Sequence, residues 1–295
     1  MRGLLMLVLT WGALGHPAQG QTVHPHYIPV ANSRLYVEES GQGPVLLLLH
    51  GGLLDHRQWA PQVQAWSRHF RVLNCDLRKH GLTQDGDSTF LNSTALATVL
   101  DSLHAPTAYV LGHSLGGVAA LDLALAHPGR VRRLVLAAPG LIGYDLNHDS
   151  TLVRNNRLEA AARQCRDTLG YAEYFVRSWV DGPQRQPAQT PPAVRTQALG
   201  LVLGNLRRHQ WATHLSFSYA PTQHQRLPEV PVPTLVLVGS LDMQDILAIS
   251  QELATRLPHT RRVVLPGAAH LLNLEQPRRF TRAVQAFLLE TPPAP

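Results

Sequence analysis

The chain has 295 residues, enough for one large domain with a sizeable core. Hydrophobic residues make up 44%, which excludes intrinsic disorder; 16% charged residues with 22 Gly and 22 Pro exclude a coiled coil, and two Cys exclude a disulfide scaffold or a Cys-based metal cluster. The net charge of +6 invites a nucleic-acid reading, but the basic residues are scattered in pairs such as Arg132-Arg133 and Arg278-Arg279, with no basic stripe alternating with aromatics, so no nucleic-acid partner is expected.

Residues 1–20 read as a signal peptide. Arg2 supplies the positive start, and residues 4–14 form an apolar run of 11, too short to span a bilayer. Ala18-Gln19-Gly20 places small residues where a signal peptidase reads. This predicts a secreted or periplasmic protein with no stable membrane insertion after cleavage. Export permits a Cys75–Cys165 disulfide, although a free buried thiol is the commoner state. Asn92-Ser93-Thr94 fits a glycosylation acceptor in a eukaryotic host. His24 and His26 flank Pro25 and read as part of a surface tail, with no metal assigned.

From residue 27, short apolar runs alternate with segments of helical period. Residues 27–30 and 34–39 form a strand pair around Ala31-Asn32-Ser33. Residues 45–50 (VLLLLH) are a continuous apolar run, as expected for a strand buried on both faces. A helix over 58–68, a strand over 71–76 and a helix over 93–103 follow. Residues 108–112 read as a strand, 117–127 as a helix stopped at Pro128-Gly129, and 131–138 as a strand.

The alternation then breaks. Between Pro139 and Pro228 the sequence offers three helices instead: 151–169 stopped by Gly170, 171–180 stopped at Asp181-Gly182-Pro183, and 193–208. The sheet pattern resumes with strand 234–239, helix 246–256, strand 261–265 and helix 277–289. Strands alternating with helices imply a parallel sheet covered on both faces. The helical block reads as an insertion that lies as a cap over one sheet edge.

The sharpest local signal is Gly112-His113-Ser114-Leu115-Gly116. By itself the pattern is weak. Its setting, directly after a strand and opening a helix, is the one a nucleophile elbow requires. Such a turn forces Ser114 into a strained backbone shape, and Gly112 and Gly116 leave room for it. The Leu115 N–H then lies at a helix N-terminus, where developing negative charge is favoured.

A serine hydroxyl needs a base. His270, just after the last predicted strand, lies at the sheet edge where parallel sheets place their sites. Asp242, just past strand 234–239, is the choice to hold the imidazole, with Asp245 as runner-up. The second oxyanion donor falls in His50-Gly51-Gly52-Leu53, at the Gly52 N–H ahead of Leu53. His50 reads as a loop organiser. No cofactor and no metal are required, and His209 and His214 lack the spacing of a helical metal pair.

These pieces together resemble α/β-hydrolase-fold proteins of the capped type. The matching motifs are His50-Gly51-Gly52, Asp76-Leu77-Arg78-Lys79-His80-Gly81, Gly112 to Gly117, Gly239-Ser240-Leu241-Asp242, and Gly267-Ala268-Ala269-His270 with Asn273-Leu274-Glu275-Gln276-Pro277. The resemblance implies a mostly parallel eight-stranded sheet with helices on both faces. It divides the chain into a core over 21–139 and 229–295 and a cap over 140–228. Lys79 departs from the usual Gly, and Leu53 from the Gly or Pro of several subfamilies, which speaks against a proline iminopeptidase. Ser114 speaks against haloalkane dehalogenases and epoxide hydrolases, which carry Asp there. Asp76 reads as a structural turn residue.

The expected activity is hydrolysis of small-molecule carboxylic esters or lactones by Ser114, Asp242 and His270, with Gly52 and Leu115 as oxyanion donors. Carbon–carbon bond hydrolysis of ring-cleavage products is the alternative, ranked lower because His113 replaces the Asn that precedes the nucleophile there. A slow or non-catalytic ligand receptor on the same fold is the rival from another class. For Tyr144, Tyr171, Tyr174, Phe175, Trp179, Trp211, Phe217 and Tyr219, the expectation for any single one is the cap's own core rather than an acyl pocket.

Overall fold

The computed structural model describes residues 22–86, 92–209 and 221–290. The predicted signal peptide lies outside the described residues, as do Trp211, His214, Phe217 and Tyr219.

Eight strands form one sheet: β1 (Val23–Val30), β2 (Ser33–Ser40), β3 (Val45–Leu49), β4 (Arg71–Cys75), β5 (Ala108–His113), β6 (Val131–Ala137), β7 (Thr234–Gly239) and β8 (Thr260–Leu265). Their order is β1-β2-β4-β3-β5-β6-β7-β8. β1 pairs antiparallel with β2 and β2 antiparallel with β4; every other pairing is parallel. All six residues of β7 are buried, as is β3 beyond Val45. Such strands need cover on both faces, which is why they read as unbroken apolar runs. Burying each of these Leu and Val side chains contributes about 1.5–3 kcal/mol.

The helices are α1 (Ala60–Trp66), α2 (Asn92–Ser102), α3 (Leu115–Ala126), α4 (Ser150–Gln164), α5 (Thr168–Val176), α6 (Pro192–Arg208), α7 (Gln223–Arg226), α8 (Gln244–Arg256), α9 (Leu272–Glu275) and α10 (Pro277–Leu289). α1 packs on α10, α2 on α3, and α8 on β7 and β8. The sequence resembles the α/β-hydrolase fold, and the chain adopts it.

Between β6 and β7 the chain runs through α4 to α7. α5 and α6 carry a second apolar cluster, with Ala172, Val176, Ala198 and Val202 at its centre. The same cluster takes in Leu53 and Leu54 after β3, and Leu271 and Leu274 after β8. The inserted helices therefore pack on the loops at the C-terminal ends of the strands, where parallel sheets bind ligands.

Several sequence expectations are corrected. The predicted helix over 151–169 ends at Gln164, and α5 runs straight through Gly170. Arg166 takes a left-handed φ of 57°, and the Asp167 carboxylate accepts the Gly170 N–H at 2.8 Å. The side-chain cap sets the break, and the glycine does not. His24 and His26 lie within β1 rather than a tail, and His26 Nε2 is 3.0 Å from Glu39 Oε2. Cys75 and Cys165 are both free, the commoner of the two states weighed, the first buried and the second exposed. Asn92 is buried at the start of α2, so its amide is not presented for glycosylation.

Candidate active site

Ser114 sits between β5 and α3 with φ 52° and ψ −112°. A non-glycine residue held there stores on the order of 1–3 kcal/mol of strain. Hydrogen bonds on both sides hold it. Its N–H donates to Ala137 O at 3.0 Å, and its carbonyl accepts from Gly117, Val118 and Gly140 at 2.9, 3.2 and 3.2 Å. The turn is so close that a Cβ at Gly112 would lie 2.0 Å from Gly116 O. Only glycine fits at 112.

His270 and Asp242 come from adjoining loops. Leu241 N–H donates to Ala268 O at 2.9 Å, and a Cβ at Gly239 would meet Ala268 O at 2.3 Å. The close approach that Gly239 allows brings the two loops together. His270 Nδ1 lies 3.1 and 3.0 Å from the two Asp242 oxygens. Asp242 is almost completely buried, and its Oδ1 also accepts the Met243 N–H at 2.8 Å. With Nδ1 donating to Asp242, His270 Nε2 is the basic nitrogen. It is buried and has no hydrogen-bond partner among the described residues.

Ser114 and His270 line one cavity of about 430 Å³. Gly52 and Leu115 line it too. Among the described residues neither of their backbone N–H groups has a protein acceptor. Leu115 is the first residue of α3, so its free amide carries the partial positive charge of a helix N-terminus. Leu53 has φ 57° and turns its side chain into the inserted helices' apolar cluster.

The other predicted residues fall elsewhere. Asp245 accepts from the His148 N–H and Nδ1 at 3.1 and 2.9 Å and does not face His270 Nδ1. His50 Nδ1 donates to Gly51 O at 2.8 Å, while its Nε2 accepts the Leu77 N–H at 3.0 Å. Burial keeps this imidazole neutral by lowering its pKa. Asp76 accepts the N–H groups of His56 and Leu82 at 2.6 and 2.7 Å and the His56 Nδ1 proton at 2.9 Å. Asp55, His56 and Asp76 come close enough to share a metal ion. Asp55, however, is held by the Arg57 guanidinium at 2.6 Å, and Asp76 by three donors. The turn chemistry accounts for all three. His209 Nε2 donates to Gly81 O at 3.1 Å. Lys79, where the resemblance expects Gly, takes a left-handed φ of 60°.

Four residues take contacts around His270 that the sequence did not assign to them. His113 Nε2 donates to the backbone O of His270 at 2.9 Å, and the two rings lie 4.9 Å apart. Burial, with the neighbouring His270 second, holds the His113 pKa well below its usual value, so it acts as a neutral tether. Trp179 lies against His270 with ring centroids 4.8 Å apart. Arg185 and Glu275 form a buried ion pair beside the same loop. Tyr144, Phe175 and Trp179 line the cavity, so the expectation that each builds only the insertion's own core is corrected for them; Tyr171 and Phe175 do pack on that core. Position in the motif marks His113. Glu275 stands in the Asn273 to Pro277 motif and Trp179 among the aromatics weighed for the pocket, though neither with these partners; nothing local marks Arg185.

Residues 46–283 match the model of the alpha/beta hydrolase family. Carboxylesterase YbfK of Bacillus subtilis is 28% identical over 276 residues, covering 89% of this chain and 86% of that protein. Its crystal structure superposes with a TM-score of 0.71 at 25% identity, covering 91% of this chain and 92% of that one. The pimeloyl-[acyl-carrier protein] methyl ester esterase of Nitrosomonas europaea is 28% identical over 269 residues, covering 86% of this chain and 99% of that protein. On the fold and on the family match, this chain belongs to the alpha/beta hydrolase family.

Proposed function

We propose that this protein is a serine hydrolase that cleaves small-molecule carboxylic esters or lactones through an acyl-enzyme on Ser114. The observation that carries the reading is the cavity itself: Ser114, His270 and the two free amides of Gly52 and Leu115 share it, with Asp242 behind the imidazole. The esterase relatives support the same reaction class.

Ser114 Oγ attacks the carbonyl carbon while His270 Nε2 takes its proton. Asp242 fixes the tautomer and stabilises the imidazolium. The oxyanion accepts the N–H groups of Gly52 and Leu115, preorganised donors that need no rearrangement as charge develops. Collapse expels the alcohol, which takes its proton from His270. Water then enters and adds to the acyl carbon as it gives a proton to His270; collapse breaks the bond to Ser114 Oγ, which takes that proton back as the acid leaves. Residues 1–20 support action outside the cytoplasm; N-terminal sequencing of exported protein tests that part.

The decisive experiment is labelling with a fluorophosphonate alongside turnover of 4-nitrophenyl butyrate. The wild type labels once and turns over repeatedly, and Ser114→Ala does neither. Ordinary turnover by Ser114→Ala refutes the assignment. Labelling with less than a handful of product molecules per chain favours the receptor reading.

A further inference from the structure

The cavity's walls define which acyl groups it admits. Leu115, Val118, Leu141, Ile142, Phe175 and Trp179 are among its apolar walls, and among the described residues no Arg, Lys, Asp or Glu lines it. The undescribed residues 210–220 contain no Arg or Lys, and neither do 87–91. The cations nearest in the chain to Trp179 and Val180 are already committed. Arg177 donates to Arg185 O at 2.7 Å and pairs with Asp181 at 3.4 Å, while Arg185 pairs with Glu275.

Carboxylates also adjoin the walls. Asp242 sits behind His270, and Asp245 precedes Ile246, a lining residue. The Tyr144 hydroxyl, also at the wall, has its pKa raised first by burial and then by the carboxylates of Asp245 and Glu252. Away from the oxyanion donors, an anionic group held against these apolar walls would lose its water and meet no Arg or Lys side chain among the described residues.

The alcohol has to leave, and water enter, while the acyl group remains on Ser114. The apolar wall is therefore assigned to the acyl side. We infer that the site takes esters of uncharged aliphatic acids and rejects acyl chains that end in a carboxylate. This rests on the hydrolase reading of Ser114. It separates the chain from a relative whose substrate name carries a succinate.

Three substrates that share a six-carbon acyl chain test it at pH 8: 4-nitrophenyl hexanoate, 4-nitrophenyl methyl adipate, and the 4-nitrophenyl monoester of adipic acid. Among straight-chain 4-nitrophenyl esters, kcat/KM should rise about fourfold per added methylene until the cavity is full. The expected result is turnover of the first two, with kcat/KM for the free acid lower than for its methyl ester by on the order of 100-fold. A gap of about tenfold or more supports the inference. A smaller gap, or a preference for the free acid, overturns it while leaving the hydrolase reading intact. Fluorophosphonate labelling of wild type against Ser114→Ala, run in parallel, reports the nucleophile independently. No labelling and no turnover of any ester would overturn both.

Discussion

Arg185 Nη1 lies 2.6 Å from Glu275 Oε2, a buried ion pair joining the inserted helices to the loop that carries His270. Arg185 also donates to the carbonyls of Val180 and Asp181, next to Trp179. Glu275 in turn accepts the Ala269 N–H at 3.0 Å, one residue before His270. The pair thus fastens the Trp179 ring and the His270 backbone to one another.

Removing one partner leaves the other charge buried. Arg185→Ala should lower stability by about 3–5 kcal/mol. It should also lower kcat and raise KM, because it frees both the loop that carries His270 and the Trp179 wall. Glu275→Gln keeps an acceptor for Ala269 and should retain more kcat than Glu275→Ala. Urea unfolding and steady-state kinetics on the three variants check this. Equal kcat for Gln and Ala at position 275 would break the link to Ala269.

Two glycines give opposite outcomes. Gly112→Ala puts a Cβ 2.0 Å from the Gly116 carbonyl, with backbone on both sides, so it should cost more than about 4 kcal/mol and abolish folding or activity. Gly200 lies exposed inside α6, and a methyl group there would meet nothing within 4 Å. Gly200→Ala should raise stability by about 0.5–1 kcal/mol, through lower unfolded-chain entropy and better helix propensity. Thermal melts of both variants decide it.

Glu159, on α4, gives a pH signature. Burial raises its pKa to about 7 from an ordinary 4.5, and Oε1 has no hydrogen-bond partner among the described residues. Between those values the folded chain holds a proton that the unfolded chain has released. Stability therefore falls as pH rises from 4.5 to 7. By pH 8 the loss from this one group is about 3 kcal/mol. Glu159→Gln should be more stable than wild type at pH 8, with the difference gone by about pH 4. Urea midpoints across that range measure it; parallel profiles would show that Glu159 titrates normally.

The two thiols should differ sharply. Cys165 is exposed, whereas Cys75 is fully buried with its pKa pushed up by burial and then by Asp76. A thiol reagent should count one group in the native protein and two after denaturation. Zero in the native state would mean a disulfide.

The sequence made the sheet legible because β3 and β7 are buried on both faces and read as nearly unbroken runs of Leu and Val. The elbow was legible because Gly112 and Ser114 are adjacent to the strand and helix that define it. The α4–α5 boundary was not, because the capping Asp167 competes with the more conspicuous Gly170. Trp179 and Arg185 were out of reach for a different reason. Their partners, His270 and Glu275, lie far along the chain, 90 residues on in the case of Arg185, and only the packing of the insertion on the strand-end loops brings them together.

The outer strands of the sheet, β1 and β8, are guarded in different ways. Pro25 and Pro29 sit four apart in β1 and so remove two donors from the same side of the strand. On β8, Arg261 is tied to Glu290 at 2.7 Å and Arg262 to Ser250 at 2.9 Å, which sets charge along the opposite flank. Neither flank offers a continuous, apolar template for a ninth strand. Concentrated solutions of the folded chain should accordingly resist edge-to-edge aggregation.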